Sequence, residues 1–150
     1  MCTSVSNGNT RLVADRLAGV LGAAVLEPED VDPVELAACD LVGFGSGIYY
    51  MNTHERLRHL VAGLPPVDGV PAFVFATSGS RRLPFWDFLR PTMRALEAKG
   101  FEVVDTFSCI GLDTVGPLGL VGGINRGRPN DRDLDAAESF ARGLRQRVRG

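Results

Sequence analysis

Apolar residues near the start of the chain recur at the spacing of an amphipathic helix. This pattern predicts a helix over about residues 9–21, and Gly22 marks its end because glycine readily adopts the left-handed conformation that stops a helix. The helix must therefore pack one apolar face against another layer of the protein. The residues of that face are Leu12, Val13, Leu17, Val20 and Leu21.

Short apolar runs follow this helix. They are mostly continuous rather than alternating, which is typical of strands buried on both faces of a parallel sheet. The predicted strands are residues 24–26, 41–45, 71–76 and 101–109. The further predicted helices are a brief one capped by Asp32, two over about residues 52–62 and 85–99, and a last one capped by Asn130.

Strand and helix alternate, so right-handed crossovers predict an α/β fold with helices on both sides of a parallel sheet. We expect one domain of 150 residues, a three-layer doubly wound sheet of five strands in the order 2-1-3-4-5 with a shortened first strand. That strand has to precede Ser4, where the sequence offers only Met1, Cys2 and Thr3. Either the start codon was assigned too late, or the chain has a true short start.

A loop of mostly small and polar residues precedes the first helix. Gly8 lets the backbone come close to a ligand, and the free amides of a helix that starts near Asn9 favour a dianion. The loop therefore predicts a phosphate cradle built from neutral donors. A polar turn with a helix cap is the alternative. The loop residues are Ser4, Val5, Ser6, Asn7, Gly8, Asn9 and Thr10.

The residue order of this loop closely resembles the FMN-phosphate loop of the flavodoxin-like family, and the resemblance covers nearly the whole chain. Residues 46–50 match the loop that packs an aromatic residue on the isoalloxazine ring, and residues 77–79 match the loop along the pyrimidine edge of the flavin. In a parallel sheet all three loops lie at the carboxyl edge, where such folds bind ligands. The resemblance implies FMN as cofactor, with either Tyr49 or Tyr50 stacked on the ring. The implied contacts are Ser4, Ser6, Asn7, Gly8, Asn9, Thr10, Ser46, Gly47, Ile48, Tyr49, Tyr50, Thr77, Ser78 and Gly79.

A glycine-rich loop of about twenty residues precedes the last helix, and it resembles that of a short, single-domain bacterial subgroup of the same family. We expect this loop to act as a lid over the flavin. Phe85 and Trp86, after the fourth strand, are candidates for the wall of a substrate pocket. Cys109 is interpreted as a small core residue rather than a redox thiol, because no basic residue lies beside it in sequence.

Composition excludes several classes. A net charge of −2 gives no global field towards nucleic acid, and no apolar run approaches the roughly 20 residues of a membrane span. Three cysteines without a Cys-x-x-Cys pair argue against a disulfide frame or a zinc site and predict a reducing cytoplasm. His54 and His59 lie on different sides of one predicted helix and are expected to face solvent. The basic run from Arg142 onward is interpreted as a solvated helix face.

Two motifs are incomplete. The stretch at residues 43–48 has Ile48 where a dinucleotide fingerprint needs its third glycine, which argues against a Rossmann NAD site. Ser78 lies between Ala76 and Ser80, where a hydrolase nucleophile elbow needs two glycines. Neither a nucleotide-binding dehydrogenase nor a serine hydrolase is predicted.

The sequence therefore predicts an FMN-binding redox protein, either an electron carrier or an oxidoreductase that takes electrons from a reduced nicotinamide. The weak net charge of −2 favours the oxidoreductase, because carriers that dock on basic partners tend to be strongly acidic. Residues 45–50 also resemble a loop of menaquinone-dependent protoporphyrinogen dehydrogenases, so a quinone or porphyrinogen substrate stays open. The alternative class is a binding module of the same fold without flavin. The redox partner and the oligomeric state are not predicted.

Overall fold

The computed structural model describes residues 2–3, 9–49, 52–53, 55–78, 85–110 and 131–149. A 3-10 turn at Pro28–Asp30 adds to the regular elements. The strands within this part of the chain are β1 (Cys2–Thr3), β2 (Val42–Tyr49), β3 (Asn52–Thr53), β4 (Pro71–Ser78) and β5 (Glu102–Ile110). The helices are α1 (Asn9–Leu21), α2 (Pro33–Ala37), α3 (Glu55–Gly63), α4 (Phe85–Ala98) and α5 (Asp131–Arg149).

The four strands β1, β2, β4 and β5 form a parallel sheet in the order β1-β2-β4-β5. This is the 1-3-4-5 part of the predicted order and confirms an α/β fold with a parallel sheet. The two-residue strand β3 pairs antiparallel with the end of β2. Of the predicted edge strand at residues 24–26, only Leu26 forms a bridge, so the complete five-strand order stays a prediction.

Helices cover the sheet on both sides, as the continuous apolar runs predict. Alternate residues of β4 point to opposite faces, and they belong to two different apolar clusters. Phe73 and Phe75 pack with residues of α1 and α5, whereas Val74 and Ala76 pack with residues of α3 and α4. Both faces of the central strands are thus removed from water.

The ends of the helices follow the expected local chemistry. Gly22 ends α1 with a φ of 64°, and Gly100 follows α4 with a φ of 98°. A Cβ on Gly100 would lie 1.8 Å from the carbonyl oxygen of Val67, so this position excludes every side chain. Asp32 caps α2 by accepting a hydrogen bond of 2.9 Å from the amide of Val34.

Several predicted bounds were wrong. The strands β2 and β4 continue to Tyr49 and Ser78, through residues that the sequence assigned to loops, because the ladder between them extends to the pair Gly47 and Thr77. Helix α3 begins at Glu55 rather than near residue 52, because residues 52–53 pair with the end of β2. Leu12, expected on the buried face of α1, is 49% exposed.

Two of the C-terminal arginines bond to other elements of the fold and a third pairs within α5, and all three remain exposed. Arg142 pairs with Glu138, Arg145 donates to the carbonyl oxygen of Val20, and Arg147 pairs with Asp105 at 2.7 Å. Most side chains of this basic run therefore form hydrogen bonds or ion pairs within the protein. The predicted cap Asn130 and the expected lid at residues 110–129 lie, apart from Ile110, outside the described residues, as does the side chain of Cys109.

Candidate functional site at the carboxyl edge of the sheet

The carboxyl ends of β2 and β4 meet the amino end of α1 at one edge of the sheet. The hydroxyl oxygens of Thr10 and Thr77 lie 3.0 Å apart across this junction, and both side chains are buried. Thr77 is in register with Gly47 of β2. Three residues that the sequence assigned to separate loops are thus neighbours.

Thr10 is the second residue of α1, so its backbone amide belongs to the first turn. Amides of that turn have no acceptor within the helix, and the helix dipole adds partial positive charge there. The first turn of α1 carries no acidic side chain. The start of α1 therefore offers unopposed donors to an anion.

Close packing beside this junction depends on a glycine. A Cβ on Gly45 would lie 2.1 Å from Cζ of Phe75, so the phenyl ring occupies the place of a side chain on β2. Gly47 is two residues further along and lies on the same face of the strand. Ser46, on the opposite face, is buried and donates a hydrogen bond of 2.6 Å to the carbonyl oxygen of Gly47.

The charged side chains around this edge are paired with one another. Glu27 follows the bridge residue Leu26 and lies 3.6 Å from the guanidinium of Arg11 and 3.0 Å from that of Arg56. Arg56 also bonds to Glu29, and this hydrogen bond raises the pKa of the guanidinium above its ordinary value. Glu27 thus joins the start of α1 to the start of α3. No local sequence pattern predicts this pairing.

The structure describes the predicted contact residues to different extents. Four have described side chains at the junction or beside it, namely Thr10, Ser46, Gly47 and Thr77. For four others only the backbone is described, namely Asn9, Ile48, Tyr49 and Ser78. The remaining ones lie outside the described residues, namely Ser4, Ser6, Asn7, Gly8, Tyr50 and Gly79.

Other chemistries find little support in the part of the chain that the structure describes. It contains no cluster of three or more potential metal ligands. None of its helices is long and apolar enough to cross a membrane. His59 is exposed, as predicted, and lies 3.5 Å from Glu55, whereas His54 is outside the described residues. The carboxyl edge is thus the candidate site.

One family profile and one sequence relative each match most of this chain. The profile of the family described as Flavodoxin domain matches residues 1–111. An uncharacterized protein of Methanocaldococcus jannaschii is 33% identical over 143 residues, which cover 94% of this chain and 93% of that protein.

Solved flavodoxins share the fold at low sequence identity. A flavodoxin from the domain Archaea superposes with a TM-score of 0.73 at 17% identity, covering 99% of this chain and 96% of that one. A flavodoxin of Streptococcus pneumoniae superposes with a TM-score of 0.74 at 17% identity, covering 97% and 96% respectively.

Proposed function

Because this chain belongs to the Flavodoxin domain family, we propose that it binds FMN at the carboxyl edge of its sheet and works as a redox protein. The observation that supports this most directly is the buried hydroxyl pair of Thr10 and Thr77, which joins the start of α1 to the end of β4. It brings two of the three predicted flavin loops to one place.

The described side chains fit the phosphate of FMN. Thr10 offers a hydroxyl and a backbone amide at a helix start that carries no acidic residue in its first turn. The nearby cation of Arg11 is engaged by Asp15 at 3.1 Å and by Glu27. Phosphate binding would therefore rely on neutral donors from residues 4–10, as the sequence predicts.

The ring would lie beyond the ends of β2 and β4. Gly47 and Thr77 are the last paired residues of the ladder between β2 and β4, and residues 48–50 and 78–79 follow directly in sequence. Tyr49 or Tyr50 is proposed to stack on the isoalloxazine, and Ser78 and Gly79 are proposed to line its pyrimidine edge. The flavin, when bound, supplies one- or two-electron chemistry, while the protein binds, orients and shields it.

We further propose that the protein acts in the cytoplasm as an NAD(P)H-dependent oxidoreductase for a quinone or a related small acceptor. The small net charge of −2 supports this over a carrier that is steered electrostatically to a redox partner protein. An electron carrier of the flavodoxin type is the competing role.

Purification with FMN tests the proposal. Protein incubated with excess FMN and passed through a desalting column should retain flavin absorbance. Addition of NADH or NADPH should then bleach that absorbance without another protein. Bleaching by dithionite alone would favour the carrier. A protein that stays colourless after incubation would contradict FMN binding and leave a flavin-free binding module.

A further inference from the structure

An ion network joins the starts of two helices that follow predicted flavin loops. Oε2 of Glu27 lies 3.0 Å from Nη2 of Arg56, the second residue of α3, and Oε1 lies 3.6 Å from Nη1 of Arg11, the third residue of α1. Helices α1 and α3 pack on opposite faces of the sheet. Glu27 therefore connects the two helical layers at the edge where the candidate site lies.

The local backbone holds Glu27 in place. Its carbonyl oxygen accepts a hydrogen bond of 3.0 Å from the amide of Asp30, which closes the 3-10 turn, and Pro28 of that turn is buried. Glu29, on the other side of Pro28, accepts a hydrogen bond of 2.7 Å from Nε of Arg56. A planar guanidinium that bonds to two carboxylates has little freedom to turn. Arg56 is thus fixed relative to the turn.

The position of α3 bears on the predicted ring loop. Strand β3 precedes α3 and pairs antiparallel with the end of β2, with Thr53 opposite Ile48. Arg56 follows Thr53 by only three residues. We therefore expect a shift of Arg56 to move the strand that pairs with Ile48, at the beginning of residues 48–50.

The ion network is partly shielded from water. The side chains of Glu27 and Arg56 are 31% and 36% exposed. Isolated surface ion pairs contribute little, but an arginine that bonds to several carboxylates in a network is the exception. Asp15 also pairs with Arg11, at 3.1 Å, and both residues lie on α1. The pair of Asp15 and Arg11 therefore stays within one helix, whereas Glu27 connects two.

We propose that Glu27 is a positioning residue of the FMN site, which sets the spacing between the phosphate subsite at the start of α1 and the ring subsite at residues 48–50. This inference rests on the proposed FMN site. One FMN molecule has to reach both subsites, and a linked ligand gains affinity only where the spacing lets both of its ends bind together. Glu27 acts through Arg11 on the first subsite and through Arg56 on the second.

Charge and spacing predict opposite effects of removing the Glu27 carboxylate. A negative charge near the start of α1 disfavours a phosphate dianion, so charge alone predicts that Glu27→Gln tightens FMN binding. Loss of the ion network predicts weaker FMN binding, because the two subsites are no longer held at the spacing that one flavin needs. The sign of the change in affinity therefore separates a positioning role from a purely electrostatic one.

Titration of the flavin-free protein with FMN, riboflavin and inorganic phosphate tests the proposal. Riboflavin reports on the ring subsite, and phosphate, measured by its competition with FMN, reports on the start of α1. Glu27→Gln should weaken FMN binding by about five- to tenfold, while riboflavin binds as before and phosphate binds at least as tightly. FMN binding that is unchanged or tighter in Glu27→Gln would overturn the proposal, as would an equal loss for FMN and riboflavin.

Asp15→Asn is the matched control. It removes a carboxylate from Arg11, as Glu27→Gln does, but leaves the connection from Glu27 to Arg56 intact. Asp15→Asn should therefore leave FMN affinity unchanged or raise it. The same loss of FMN affinity in Asp15→Asn as in Glu27→Gln would contradict a role for the connection between the helices.

Arg56→Lys breaks the network from its other end and keeps the charge. A lysine ammonium is a single point charge and does not reproduce the fork that bonds to Glu27 and Glu29 together. Arg56→Lys should weaken FMN binding and leave riboflavin binding unchanged. Combining it with Glu27→Gln should cost no more than the larger single loss, because both changes break one network. Additive losses would overturn the proposal.

The unaltered protein separates this inference from the proposed function. If it bound no FMN, the proposed function would fail, and the positioning role of Glu27 with it. If it bound FMN and the affinities of the variants followed charge alone, only the positioning role of Glu27 would be refuted.

Discussion

The hydroxyl groups of Thr10 and Thr77 form a buried hydrogen bond of 3.0 Å between residues 67 positions apart in sequence. Either oxygen can donate. Whichever hydroxyl accepts keeps its own proton, because a hydroxyl carries one donor and two acceptor sites. When Thr77 donates to Thr10, the Thr10 hydroxyl keeps its own O–H donor at the start of α1, while the bond joins that helix to the end of β4. Both predictions that follow test this relationship.

Replacing Thr10 by valine keeps the shape of the side chain and removes the hydroxyl. A hydrogen bond to a charged group contributes about 1.5–3 kcal/mol, so Thr10→Val should weaken FMN binding by roughly ten- to a hundredfold. Riboflavin, which lacks the phosphate, should bind nearly as before. Titration of the apoprotein by quenching of flavin fluorescence measures both affinities.

Thr92 offers a matched control, because it is also a buried threonine but lies on α4. Thr92→Val should leave the ratio of FMN to riboflavin affinity unchanged. If Thr10→Val weakened both ligands equally, Thr10 would act only on the helix and not on the phosphate.

Thr77 should act through Thr10. Thr77→Val removes the partner of the Thr10 hydroxyl and should weaken FMN binding by a few-fold and lower the free energy of unfolding by about 1 kcal/mol. Thr77→Ser keeps the oxygen and should restore most of the FMN affinity. Urea denaturation and FMN titration measure the two effects. A serine variant as weak as the valine variant would show that the methyl group, not the hydroxyl, matters.

Most of the fold follows from local pattern. The apolar runs predict the cores of β2, β4 and β5, and helical spacing together with Gly22 predicts the bounds of α1 as the structure has them. Local pattern does not predict which of two adjacent apolar residues of a helix is buried. Leu12 and Val13 are neighbours about 100° apart around α1, and only Val13 is buried, because α1 packs on the sheet and on α5 together.

The site was predicted less completely, for a physical reason. Ser46 and Thr77 are polar and resemble loop residues in sequence, yet they belong to buried strand ends because each finds a hydrogen-bond partner there. The partner of Thr77 is 67 residues away in sequence, and the spacing of apolar residues cannot predict such a contact. The family resemblance is confirmed by the profile match over residues 1–111. The binding roles of the individual loop residues stay predictions.

The stacking aromatic can be identified by fluorescence. If Tyr49 or Tyr50 covers the isoalloxazine, alanine at that position should lower FMN affinity by about 1–2 kcal/mol and recover flavin fluorescence that the stacked ring quenches. The other alanine variant serves as its control. If neither substitution changed the fluorescence of bound flavin, residues 49–50 would not contact the ring.

The close contact between Gly45 and Phe75 makes a prediction that does not depend on flavin. Gly45→Ala would put its methyl group 2.1 Å from Cζ of the buried Phe75 ring, a distance that real side chains do not reach. The ring has to move in a closely packed layer, and overpacking of this kind costs typically about 1–3 kcal/mol. Urea denaturation of the flavin-free protein should show that loss.

Gly19→Ala is the matched control, because a Cβ at Gly19 has no atom within 4 Å and the residue lies in the last turn of α1. Alanine favours a helix over glycine, so Gly19→Ala should not destabilise the protein and should stabilise it by at most about 0.5–1 kcal/mol. Phe75→Leu should reduce the loss of stability that Gly45→Ala causes, since a smaller side chain at residue 75 leaves room for the added methyl group. The double variant should therefore lose less than the sum of the two single losses. Additive losses of stability would mean that the Phe75 ring does not occupy the space over Gly45. They would contradict the close packing described beside the Thr10 and Thr77 pair.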